Sequence, residues 1–460
     1  MKSFKLALFF FSLLVLFSAC EKEEAVETKN TTNPPSSDSS YVQYGVPFAH
    51  LPASEDLIIY EVNLRAFSSS GDLQGVINRL DELQSLGVKV IWLMPIHPIG
   101  EVNSVNSPYS VKDFKAVSSE YGSFADLRTL SDEAHKRNMA IMMDWVANHT
   151  AWDNEWMANK EWYTQDATGN VIHPPGTNWL DVADLNFNSM EMRLAMIDAM
   201  KYWILEANVD GFRCDYADGV PFDFWKQALD NLKAIPNRNL VFLAEGARAD
   251  HFDAGFDLNY GWNFYGGLKN VFNGQSANRL WNINNEEYKN VTAGKNILRF
   301  STNHDESAWD NTPMVLFNGK DGALAASVIS FYMGGVPLIY TGQEVGRQSQ
   351  VPFFSNSPIN WNANPDMLQE YQDLLALYSQ SPSLRKGSIN NYPDVDIVAF
   401  TKTLANEEFL VLVNVRDNIV NYSLPNALQN SQWIDALSGN TINLGTTLAL
   451  ANYQYLVLKK

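Results

Sequence analysis

From Leu57 to about residue 340, short apolar runs alternate with longer stretches in which apolar residues recur every three or four positions. The short runs are Leu57–Val62, Val88–Met94, Met139–Val146, Val209–Asp215, Leu240–Glu245, Phe256–Asn259, Asn296–Thr302 and Val336–Tyr340. Strands buried on both faces read this way, so the eight runs predict a parallel sheet with helices between its strands. One helix is read through Leu73, Val76, Ile77, Leu80, Leu83 and Leu86 and closes at Gly87; a second begins at Asn188 and buries Leu194, Ile197, Met200, Ile204 and Leu205. Eight strands in one chain point to a closed (β/α)8 barrel of the TIM type. An open doubly wound sheet would carry a glycine-rich phosphate turn after its first strand, and the sequence contains neither G-x-G-x-x-G nor a P-loop.

Two departures from a minimal barrel set the domain plan. After the third strand, residues 147–187 hold Trp, Pro and Gly with little periodicity, so a small domain is expected there, inserted into a barrel domain spanning 46–385. From 386 to 460 the pattern changes to alternating runs such as Val395-x-Ile397-x-Ala399, Phe409–Val413 and Tyr453–Leu458, which predict an antiparallel β-sandwich.

Charged residues interrupt the apolar runs at their carboxyl ends, where barrel enzymes place functional groups. The third run leads into Asp144-Trp-Val-Ala-Asn-His149, the fourth ends in Arg213-Cys-Asp215, the fifth in Glu245, and the seventh leads into Asn303-His-Asp305. With a strand period of two, Arg213 and Asp215 share one face while Phe212 and Cys214 take the other. Buried charges two residues apart need a polar site or a partner. Each of these groups alone is as readily a helix cap or an ion-pair partner; their coincidence at four strand ends favours a site.

Composition narrows the partners. A net charge of −19 over 460 residues disfavours nucleic acid and anionic membrane surfaces, both of which need clustered Lys and Arg. Thirteen Trp and nineteen Tyr supply faces that stack on sugar rings, although core packing uses aromatics equally. Residues 1–20 combine a basic start, the apolar run Leu6–Phe17 and Ser18-Ala-Cys20, the form of a signal peptide. The Ser-Ala-Cys ending resembles a bacterial lipobox, which implies lipidation of Cys20 and export to the outer membrane or cell surface. Residues 21–45, rich in Glu, Thr, Asn, Pro and Ser, are expected to form a flexible tether. Cys214 is the one other cysteine, so no disulfide framework is expected.

The segments Asp144–His149, Gly211–Asp215, Glu245 and Asn303–Asp305, together with Tyr109, Ala183-Asp-Leu-Asn186 and Gly342-Gln-Glu344, resemble the signature regions of the alpha-amylase superfamily of glycoside hydrolases. The resemblance runs from about Asp56 to the C-terminus and implies the same architecture as the periodicity. It implies a retaining hydrolase of α-1,4-glucosidic bonds in starch or maltodextrins, with Asp215 as nucleophile, Glu245 as acid and base, and Asp305 stabilising the transition state. Tyr109, His149, Arg213 and His304 match the groups that surround the reacting sugar. Asn148 and Asp184 match positions that hold a structural calcium ion in many members; no organic cofactor is implied. Asp218 and Gly219 depart from the family, standing where a Lys-His pair commonly meets the sugar on the leaving side. The choice among amylase, glucanotransferase and cyclomaltodextrin or pullulan hydrolase therefore stays open, and a surface glycan-binding lipoprotein is the non-enzymatic alternative.

Overall fold

The computed structural model describes residues 41–460; the expected signal peptide, Cys20 and the expected tether up to residue 40 lie outside them. The last part of the expected tether is held in place. Tyr41 donates to Asp198 (2.6 Å), Tyr44 donates to Asp132 (2.7 Å), and the Arg128 guanidinium lies 4.4 Å from the centre of the Tyr44 ring. Two aromatic side chains with polar tips make this short segment a clamp in a composition that otherwise reads as tether.

Eight parallel strands close a barrel in sequential order: β1 (Ile59–Val62), β2 (Val90–Leu93), β3 (Ala140–Trp145), β4 (Gly211–Cys214), β5 (Val241–Ala244), β6 (Leu258–Tyr260), β7 (Asn296–Arg299) and β8 (Val336–Tyr340). Side chains alternate between two apolar layers. Ile59, Val90, Trp92, Met142, Leu243 and Leu338 fill the barrel, whereas Tyr60, Ile91, Ile141, Phe212, Phe242 and Ile339 pack outward with the helix layer. Burial on both faces explains why the strands read as continuous apolar runs.

Three local expectations change. The helix read from Leu73 to Leu86 is two segments, Leu73–Ile77 and Leu80–Ser85. Arg79 leaves helical geometry between them (φ −119°, ψ 13°) and lays its guanidinium 4.1 Å from the Trp361 ring centre, a cation–π contact that competes with helix continuity. β6 begins at Leu258 because the turn at Gly255, with φ 118°, takes up Phe256. The helix expected from Asn188 starts at Met190, capped by the Ser189 hydroxyl, and Leu194 and Leu205 are only half-buried beside the buried Met196, Met200 and Trp203.

Within residues 147–187, His149–Ala151 pairs antiparallel with Val182–Asp184 to make a ribbon that carries the loop over the carboxyl end of the barrel. The C-terminal domain is a six-stranded antiparallel sheet facing a two-stranded one. Its strand Glu407–Asn414 turns Leu410 and Leu412 toward the sandwich interior and Val411 and Val413 toward the barrel's helix layer, so this run too is apolar on both faces.

Candidate active site

Register alone brings the first charged pair together. Asp144 on β3 is the lateral neighbour of Arg213 on β4, both point inward, and Arg213 Nη1 meets Asp144 Oδ1 at 2.8 Å. The chain then turns upward at Asp215, whose Oδ1 is also 2.8 Å from Arg213 Nη1. Cys214 is the lateral neighbour of Ala244 on β5, so Glu245 emerges beside Asp215, and Arg213 Nη2 lies 3.0 Å from Glu245 Oε1. One guanidinium thus hydrogen-bonds Asp144 and Asp215 through Nη1 and stands at ion-pair distance from Glu245 through Nη2. Tyr260 at the end of β6 accepts from Arg213 Nε at 3.3 Å.

Asp305 reaches the same place from the far wall. Asn303 caps the short helix His304–Trp309 by accepting from the Glu306 N–H at 2.8 Å, which sets His304 and Asp305 in its first turn. His304 Nε2 lies 3.3 Å from Asp305 Oδ2 and 2.8 Å from the Tyr109 hydroxyl, while its Nδ1 bonds to Glu61. The Tyr109 hydroxyl donates to Asp144 (3.0 Å), as does the Trp92 indole N–H (3.1 Å). Tyr109, His149, Asp215, Glu245, His304 and Asp305 line one cavity of about 680 Å³ at the carboxyl end of the barrel.

Burial governs the protonation of the two central carboxylates. Loss of solvent raises Asp215 to about 6, with Arg213 opposing the shift and Asp144 and Asp305 adding to it. Loss of solvent raises Glu245 further, to about 7, again opposed by Arg213 and reinforced by Asp215 and Asp305. Burial therefore lifts both carboxylates above the ordinary range, and Glu245 is the more strongly raised. Burial disfavours the charged form of His304, but Asp305 and Glu61 outweigh it and push the imidazole up to about 9, so the ring is a cation at neutral pH. Burial lowers His149 to about 4, which leaves that ring neutral.

One expectation needs correction. Arg213, expected at the sugar, has no exposed surface and lies beneath the cavity floor, committed to its carboxylates. It orders the carboxylates from below and has no surface on the cavity. Asn148 and Asp184 lie close along the ribbon, but Asn148 Nδ2 is turned to His149 at 3.3 Å, and no cluster of three or more acidic, His or Cys side chains occurs among the described residues. A calcium ion between Asn148 and Asp184 would take its remaining oxygens from carbonyls and water, and no step below depends on it.

Several groups at the site carry little signal in the sequence. Glu61 is fully buried at the end of β1 and orients His304; the acid interrupting Tyr60-Glu61-Val62 is the same signal that singled out Arg213. The aromatic walls Trp179, Tyr216, Trp309 and Phe353 come from loops whose approach to the cavity has no periodic signature. Asp218 turns away from the cavity to accept the backbone N–H groups of Ala247 (3.1 Å) and Arg248 (3.3 Å), bracing the loop that carries Glu245.

The alpha-amylase catalytic-domain family matches over residues 37–179 and 176–388. Alpha-amylase MalA of Haloarcula japonica is 27% identical over 397 residues, covering 81% of this chain and 57% of its own length. A cyclomaltodextrin glucanotransferase of a Bacillus species is 26% identical over 461 residues, covering 85% of this chain and 61% of its own. The crystal structure of an alpha-amylase from Lactobacillus plantarum superposes with a TM-score of 0.80 at 28% identity, covering 88% of this chain and 99% of that one. The match spans most of the barrel that carries Asp215, Glu245 and Asp305, and the chain belongs to the alpha-amylase family of glycoside hydrolases.

Proposed function

We propose that this protein hydrolyses α-1,4-glucosidic bonds of starch or maltodextrins with retention of configuration. The observation that carries the reading is one buried Arg213 holding Asp215 and Glu245 side by side at the floor of a cavity whose far wall is Asp305. Asp215 and Glu245 lie on the two terminal nitrogens of one guanidinium, which supports one acting as nucleophile and the other as acid on the same bond, the division of roles in a retaining enzyme.

Asp215, the less strongly raised of the pair, attacks the anomeric carbon as Glu245 gives its proton to the glycosidic oxygen. The C–O bond to the leaving sugar breaks and a glycosyl ester forms on Asp215. Glu245, now a carboxylate, takes a proton from water, whose oxygen displaces Asp215 and releases the sugar. Asp305 and the cationic His304 hold the hydroxyls of the reacting ring, with neutral His149 and Tyr109 completing its surroundings. Glucan transfer on the same scaffold differs only in the acceptor: a sugar hydroxyl replaces water at the ester.

Reducing ends released from soluble starch by the purified protein test the reading directly. Glucan binding with no turnover on starch, maltoheptaose, pullulan or cyclodextrin would leave a glycan-binding lipoprotein instead. We further propose that the chain is exported and anchored through lipid on Cys20, a reading supported by the signal-like residues 1–20.

A further inference from the structure

Asp218 and Gly219 stand where the family's common Lys-His pair meets the leaving sugar, and the structure assigns a different device to this side. We infer that the Tyr216 ring, backed by Trp179, is the platform for the sugar beyond the scissile bond, and that Gly219 is what lets it lie there. The inference rests on reading the cavity as an alpha-glucan site.

Position comes first. The acid protonates the glycosidic oxygen, so the leaving sugar lies on the Glu245 side of the reacting ring. Tyr216 is the wall on that side: its backbone N–H donates to Glu245 Oε2 at 2.7 Å. The opposite aromatic wall belongs to the reacting ring's own surroundings, because Phe353 packs on Tyr109 (5.6 Å between centroids) and on His304 (5.7 Å).

Backbone geometry comes second. Tyr216 has φ 42° and ψ 46°, a left-handed conformation that is rare for a bulky residue and persists where its surroundings enforce it. The bond to Glu245 and the Gly219 N–H donated to the Tyr216 carbonyl (2.9 Å) hold the turn. The result is a ring at the cavity wall with 37% of its surface exposed, edge-on to Trp179 at 5.0 Å and 80°.

Gly219 closes the argument. A Cβ there would sit 2.2 Å from Tyr216 Cε1 and 2.5 Å from Cδ1, so any side chain displaces the ring. Asp218 is drawn off to the loop after β5 and offers the cavity nothing. Where a Lys-His pair would read hydroxyls by directed hydrogen bonds, Tyr216 and Trp179 offer apolar faces, which recognise a pyranose ring with little regard to which hydroxyl carries the bond. The ligand class is therefore a glucosyl unit in either linkage, or an acceptor sugar entering after the first unit has left.

The test compares two substrates on the full chain and its variants Tyr216→Ala, Trp179→Ala and Gly219→Ala. Maltoheptaose places a sugar on the leaving side; α-maltosyl fluoride places only fluoride there. The ratio of kcat/KM for maltoheptaose to that for the fluoride is expected to fall about tenfold in Tyr216→Ala, the scale of one lost stacking contact, and to fall in the other two. Transfer to added maltose should drop in parallel. A lowered ratio accompanied by a shift of the alkaline limb of the pH profile would mean that the variants misplace Glu245, equal losses on both substrates would mean that they disturb the reacting ring's own site, and an unchanged ratio would mean that the ring meets no sugar; each overturns the inference. Absence of turnover on both substrates by the unaltered chain would overturn the hydrolase reading itself.

Discussion

At the scale of single residues, the chemistry depends on how one cation is shared. Arg213 opposes the upward shift that burial imposes on both Asp215 and Glu245, and the two settle near 6 and 7. The nucleophile must be ionised, so kcat/KM is expected to fall as pH drops below about 6; the acid must keep its proton, so kcat/KM falls as pH rises above about 7. A profile flat from pH 5 to 9 would contradict these assignments. Glu245→Gln is expected to slow maltoheptaose hydrolysis by about 10²- to 10⁴-fold, and to slow the first, ester-forming step on a glycosyl fluoride far less, because fluoride leaves without a proton. Pre-steady-state fluoride release measures that step, and equal losses would remove Glu245 from the acid role. Arg213 and Asp215 were legible because charge at the end of an apolar run has to be explained, and the strand period gave them a common face. The same logic reaches Glu61. It does not reach Tyr216, whose importance lies in a backbone angle and in a neighbour without a side chain.

At the scale of elements, eight apolar runs produced eight strands, since burial on both faces leaves a signal that needs no partner to interpret. Boundaries were less legible, and each shift has a local cause: Arg79 drawn to Trp361 breaks a helix, and the turn at Gly255 delays β6. Strand β4, which delivers the nucleophile, depends on a glycine for packing reasons. A Cβ on Gly211 would lie 1.8 Å from the carbonyl oxygen of Val241, an atom fixed in the neighbouring strand. Gly211→Ala is expected to cost at least about 3 kcal/mol, read as a lowered denaturation midpoint or loss of soluble protein. By contrast, Gly219→Ala meets a movable ring and should leave the midpoint near that of the unaltered chain.

At the scale of the whole molecule, the sandwich is bolted to the barrel. Arg416 in the C-terminal domain donates to the Val271 carbonyl at 2.6 Å and to the Gln275 carbonyl at 2.7 Å, and pairs with Asp396 at 2.7 Å. The alternation of the C-terminal runs was readable, but their attachment was not, because a surface Arg in sequence carries no sign of where it docks. No helix among the described residues is long and apolar enough to cross a membrane. Cys20→Ser should move the protein from the membrane to the soluble fraction with its rate on starch retained; a membrane-bound variant would contradict the anchor. The central claim is that Asp215 and Glu245, held side by side on Arg213, replace the glycosidic bond by two successive inversions. Proton NMR of maltoheptaose hydrolysis within the first turnovers, before mutarotation, tests this most directly. The newly released reducing end is expected as the α-anomer; initial release of the β-anomer would mean a single inversion and no ester on Asp215.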